Sequence, residues 1–150
     1  DGFMIQGGDF ERGDGTGGYA AKWYGYCNGQ EMDNSADCAS NQWSIPHEHD
    51  NGKTHVPGAL AAAHSGVNTD GSQFYIVPED ASPTHLDYTE GKDCSQQSCH
   101  TVYGQVSDGL EFITSISETA VGGSSNSDPI SPVTLVEVTT NAETPWWKFW

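Results

Sequence analysis

Ser72-Gln73-Phe74-Tyr75-Ile76-Val77 is a short strand-like run bounded by turn residues on both sides. On an extended chain Gln73 and Tyr75 share one face, and Phe74 turns to the other. The same mixture occurs at Phe3-Met4-Ile5-Gln6, where Met4 and Gln6 share a face. Two strands that each set an amide beside an apolar side chain can line an apolar pocket with a few fixed polar groups. Taken singly, either pattern is more often ordinary barrel filling.

Further strand-like pieces lie at Gly58 to His64, Thr101 to Val106 and Val133 to Thr140. In the last, Thr134, Val136, Val138 and Thr140 alternate with Val133, Leu135, Glu137 and Thr139, as in a strand with two different faces. One helix is predicted: Asp108 with Glu111 is a start signal, and Leu110, Ile113 and Ile116 recur at helical spacing. Residues 11 to 55 sustain neither period and read as long loops. Several short strands with a single helix predict a mainly β fold, an antiparallel barrel or sandwich.

The chain has 150 residues, 35% of them apolar, which suits one domain with a modest core. A formal net charge of −16 repels phosphate backbones and anionic lipid surfaces, so nucleic acid is not an expected partner. No run approaches the roughly 20 apolar residues of a membrane-spanning helix. Residues 141–150 end in Pro-Trp-Trp-Lys-Phe-Trp and read equally as an aromatic tail or as the juxtamembrane approach to an anchor beyond the C-terminus. Cys27 with Cys38 and Cys94 with Cys99 sit as two local pairs in polar, turn-rich sequence. An even count there suggests disulfides, with three connectivities open, and an extracytoplasmic location, secreted or membrane-tethered.

Five blocks occur in a fixed order: Phe3 to Asp9, Gly15 to Gly18, Pro57 to Leu60, Asn68 to Tyr75 and His100 to Gly104. In composition and order they resemble the cyclophilin-type peptidyl-prolyl cis-trans isomerases, a likeness spanning residues 2 to about 140 with two insertions, each holding one cysteine pair. The resemblance implies a closed antiparallel β-barrel with flanking helices over residues 1–140, no metal or organic cofactor, and proline-containing peptides or unfolded proteins as partners. Carried over by position, Phe3, Met4, Tyr75 and Leu86 would hold the proline ring with His100 at the wall, and Gln6 and Gln73 would be the polar contacts. Ala63 and His64 would lie along the peptide backbone and His85 at the rim. Departures are His64 where asparagine is usual, Tyr75 for phenylalanine and His85 for a tryptophan found in many members; the tyrosine brings a hydroxyl that needs a partner.

The family's principal catalytic arginine precedes the Phe-Met block, a place that falls before residue 1. Arg12, the one arginine here, follows the Gly-Gly-Asp turn and does not match it. The expectation is therefore a domain lacking its N-terminal strands and first helix, weakly active or inactive as it stands. Two alternatives are a catalytically weak proline-peptide-binding or scaffold module of the same fold, and a surface-assembly protein that uses the aromatic tail. His47-Glu48-His49 with His55 has neither the His-Glu-x-x-His nor the paired Cys-x-x-Cys spacing, so no metal is expected. Gly13 to Gly18 lacks the lysine of a phosphate loop and reads as a glycine-rich turn.

Overall fold

A computed structural model describes residues 2–123 and 127–139. The chain divides into two compact units, Asp1–Glu118 and Thr119–Trp150. In chain order the elements are β1 (Ile5–Gly7), β2 (Tyr26–Cys27), β3 (Gln30–Glu31), β4 (Trp43–Ser44), β5 (Ala59–Ala62), β6 (Phe74–Ile76), β7 (Val102–Gln105), α1 (Leu110–Ser117), β8 (Val121–Gly122) and β9 (Asp128–Pro129). Single 3-10 turns lie at Ser35–Asp37, Ser40–Gln42 and Thr84–Leu86.

The first unit is built on an antiparallel sheet of order β1-β6-β5-β7. Its pleat gives one buried face: Ala59 and Ala61 from β5, Tyr75 and Val77 at β6 and Val102 from β7 pack with Ala81 and Leu86. Met4 and Ala63 pack against this cluster from a half-buried position, which brings them to the edge of the core. The register sets Gln6 opposite Tyr75 and Gly7 opposite Phe74, so the two amide-bearing strands are direct neighbours. Gly8 follows at φ +90°, and a Cβ there would stand 2.2 Å from the Ser72 carbonyl oxygen. Only glycine lets β1 leave the sheet so close to the start of β6.

Among the described residues the fold is mainly β, with antiparallel sheets and one α-helix. Among the described residues no ladder joins β7 to β1, so the closure implied by the resemblance is not seen. The long-loop span 11 to 55 is largely irregular, but it carries a small three-stranded sheet, β3-β2-β4, tied by Cys27–Cys38 with Cα atoms 6.0 Å apart. Two-residue strands are too short to show periodicity, so nothing in the sequence marks them. The second disulfide is Cys94–Cys99, with Cα atoms 5.4 Å apart. Both pairs are the local ones, and together they fit an oxidising compartment.

Helix α1 keeps Leu110, Ile113 and Ile116 half-buried, as their spacing predicts. Its N-cap, however, is Gly109 in the left-handed region, with no side-chain cap, so Asp108 is not the start signal. In the second unit β8 and β9 form a hairpin. The strand expected at Val133 to Thr140 is not formed over residues 133–139, which lie in no ladder and are exposed throughout, Val136 at 91%. Alternation distinguishes two faces, but a strand also needs a hydrogen-bonding neighbour. Thr140 and the aromatic tail, residues 141–150, lie outside the described residues. Among the described residues no helix is long and apolar enough to cross a membrane.

Candidate proline-binding cleft

The ends of β1, β5 and β6 and the start of β7 border a cleft of about 800 Å³. Met4, Gln6, Ala63, His64, Gln73, Tyr75 and His100 all line it. Seven of the ten residues proposed from the sequence therefore meet at one cavity. Phe3, His85 and Leu86 are not in its lining. Phe3 instead stacks on His85, with ring centroids 6.0 Å apart, while Leu86 is buried in the core beside Tyr75.

The polar side of the cleft is held by a built network. Asp9 accepts backbone N–H groups from Glu11, Arg12, Asp14, Gly15 and Gly17, at 2.9 to 3.2 Å. These donors, led by Arg12 N–H, hold the Asp9 carboxyl far below the usual carboxylate range. They also use up the N–H groups that a phosphate would need, so the glycine-rich loop is a turn wrapped on a carboxylate. That turn presents the Gly15 and Gly17 carbonyls to Gln73 Nε2, at 3.0 and 2.7 Å. Gln73 Oε1 in turn accepts from Gln6 Nε2 at 2.7 Å. Both amides are thereby fixed in rotation before any ligand arrives. Arg12 donates to Thr16 Oγ1 at 3.1 Å on the same loop.

The apolar side rests on a buried chain of hydrogen bonds. Asp87 Oδ1 accepts from both the backbone N–H and Nδ1 of His55, at 2.7 and 2.6 Å. The carboxylate sets the proton on Nδ1, so Nε2 is free to accept the Tyr75 hydroxyl at 2.6 Å. The tyrosine that replaces the family's phenylalanine thus finds its partner in the core, and the ring stacks on His55 at 5.7 Å. Burial drives the Tyr75 hydroxyl pKa well above its ordinary value and lowers that of His55, opposed there by Asp87. The sequence offers His55 only as a neighbour of His47-Glu48-His49 and gives Asp87 no role, although the tyrosine hydroxyl that needs a partner is a signal that such an acceptor exists.

His100 donates from Nδ1 to the Ala62 carbonyl at 2.9 Å and sets its ring edge-on to Tyr75. Burial, reinforced by the neighbouring charge of His64, lowers its pKa from 6.5 to about 4. Burial also lowers the pKa of His64 and His49. The folded protein therefore holds these rings neutral where the unfolded chain begins to protonate them. The stability these neutral rings contribute is complete above pH 6.5 and is lost as the pH falls toward 4, because the unfolded state binds more protons throughout that window. A thermal unfolding midpoint that declines steadily across this range is expected; one that stays flat contradicts the burial of the rings.

In comparison with known protein families, residues 1–140 match the model described as cyclophilin type peptidyl-prolyl cis-trans isomerase/CLD. The match covers both strands that wall the cleft and every residue placed on it. Membership of this family implies proline-containing peptides as substrates. The chain belongs to the cyclophilin-type peptidyl-prolyl cis-trans isomerase family.

Proposed function

We propose that the protein accelerates cis-trans isomerisation of Xaa-Pro bonds in peptides and unfolded proteins, outside the cytosol, at the cleft bordered by β1 and β6. The observation that carries this reading is the convergence of Met4 and Tyr75 with Gln6, Gln73 and His100 on one cavity. Amide resonance opposes the rotation with a barrier of about 18–20 kcal/mol, and proline makes both planar end states accessible. No bond breaks, so the catalyst needs only to bind the twisted amide better than either planar form. Met4 and the Tyr75–His100 corner supply an apolar slot for the ring. Gln6, its amide orientation set by Gln73, offers a fixed polar contact to the displaced carbonyl or the pyramidal nitrogen. Each 1.36 kcal/mol of preference for the twisted form gives about tenfold in rate. His64 and Ala63 extend the cleft along the peptide backbone.

The alternative is a module that binds proline peptides without turning them, favoured by one observation: the guanidinium of Arg12, a residue of the cleft lining, is engaged by Thr16 Oγ1 at 3.1 Å on the glycine-rich loop. A direct rate assay with a proline peptide and the full-length natural protein separates the two. Acceleration in proportion to protein concentration supports the isomerase; saturable binding with an unchanged rate supports the module.

A further inference from the structure

Three side chains from separate segments converge behind the cleft: His47 from the loop after β4, His64 just after β5 and Asp70 from the turn before β6. One ring nitrogen of each histidine and one carboxylate oxygen of Asp70 lie within 4.8 Å of one another. The His47 and Asp70 side chains are 3% and 0% exposed. His47 Nε2 stands 3.2 Å from Asp70 Oδ1, yet neither atom makes a hydrogen bond, and His47 Nδ1 makes none either. The two groups are close but not directed at each other, which is how ligands aimed at a common third point are disposed. Buried polar atoms left without partners are rare enough to call for an occupant.

We propose that His47, His64 and Asp70 form a binding site for a divalent transition-metal ion of the Zn²⁺ class. Two imidazoles and one carboxylate suit zinc, cobalt, nickel or copper, whereas magnesium and calcium favour sites made of oxygen alone. The outer shell is already in place. His64 Nε2 is 2.9 Å from the Cys99 carbonyl, and Tyr103 donates to Asp70 Oδ2 at 3.3 Å, contacts of the kind that orient metal ligands. On the other side of its ring His64 Nδ1 accepts Gly66 N–H at 3.2 Å, the weaker of its two hydrogen bonds and the one that ligation at Nδ1 displaces.

Ligand atoms of a tetrahedral zinc site lie roughly 3.3 Å apart, so the three side chains draw together on binding. Three protein ligands leave a fourth position open for water or an added ligand. All four cysteines are in disulfides, so no thiolate competes for the ion. The net charge of −16 raises the local concentration of cations. The site was not legible from His47-Glu48-His49 because its other ligands come from distant segments. It does not depend on the isomerase reading.

The test is titration of tag-free, full-length protein with Zn²⁺ and with Co²⁺, read by calorimetry, by the visible spectrum of cobalt and by the thermal unfolding midpoint. One equivalent of either ion is expected to bind, with a tetrahedral cobalt spectrum and a raised midpoint, and Mg²⁺ at equal concentration is expected to do neither. Asp70→Asn and His64→Asn should each weaken binding at least tenfold. Asparagine is the residue usual at position 64 in the family, so His64→Asn carries the test if Asp70→Asn does not fold. Zinc affinity equal in wild type and His64→Asn, or no greater than that for Mg²⁺, overturns the proposal.

Discussion

Asp87→Ala is expected to destabilise the fold by about 3–5 kcal/mol. Asp87 Oδ1 is the acceptor for both the backbone N–H and the Nδ1 proton of His55, a residue only 1% exposed. Alanine leaves two donors buried without partners, and each such orphan costs about 1–3 kcal/mol. The loss propagates, because His55 can then change tautomer and cease to accept the Tyr75 hydroxyl. Asp87→Asn keeps an acceptor and should cost about 1–2 kcal/mol. Urea unfolding of the full-length protein measures both; an alanine variant within 1 kcal/mol of wild type means that the chain from Asp87 to Tyr75 is not a support of the pocket.

Gln73→Ala is expected to lower kcat/KM for a proline peptide by about a hundredfold, because Gln6, the polar contact to the twisted amide, is then no longer held in place. Its carboxamide spans the cleft floor, donating to Gly15 and Gly17 and accepting from Gln6. Without it, Gln6 is free to rotate, and the loop of residues 9–18 loses its tie to β6. A merely structural role would show as a lower unfolding midpoint with catalysis scaled to the folded fraction. The expected signature is instead a fall in kcat in protein that remains folded, with peptide affinity changed by much less; a loss under threefold contradicts the role given to this amide.

The sequence made the walls of the cleft legible because strand periodicity is local: Met4 with Gln6 and Gln73 with Tyr75 share faces whatever the rest of the chain does. β5, β6 and β7 fall inside the predicted segments for the same reason, and both disulfides join the nearest cysteines. The floor and the supports were not legible. The grip of Asp9 on five backbone N–H groups depends on loop geometry that no period encodes. The Asp87–His55–Tyr75 chain joins residues 20 and 32 positions apart. The strand expected at 133–139 shows the converse, a correct local pattern that found no partner to make it a strand. Phe3 and Leu86, which resemblance makes part of the ring-binding pocket, lie outside the cleft lining: Phe3 is exposed and stacked on His85 ahead of β1, and Leu86, at the end of the turn Thr84–Leu86, is buried in the core.

A proline residue is expected to bind and turn against Met4, in the cleft bordered by β1 and β6. The 150 residues contain two methionines, Met4 in the cleft and Met32 just after β3 and outside the cleft lining, which makes methyl labelling a sparse and local probe. The decisive measurement is a methyl NMR titration of ¹³C-methionine-labelled, full-length protein with an Xaa-Pro peptide, with exchange cross-peaks between the peptide's cis and trans signals recorded on the same samples. The Met4 methyl is expected to shift to saturation while Met32 stays in place, and exchange cross-peaks are expected at catalytic protein concentrations. A Met4 methyl that does not move at saturating peptide, or cis and trans signals that never exchange, would rule out binding and turnover at this cleft.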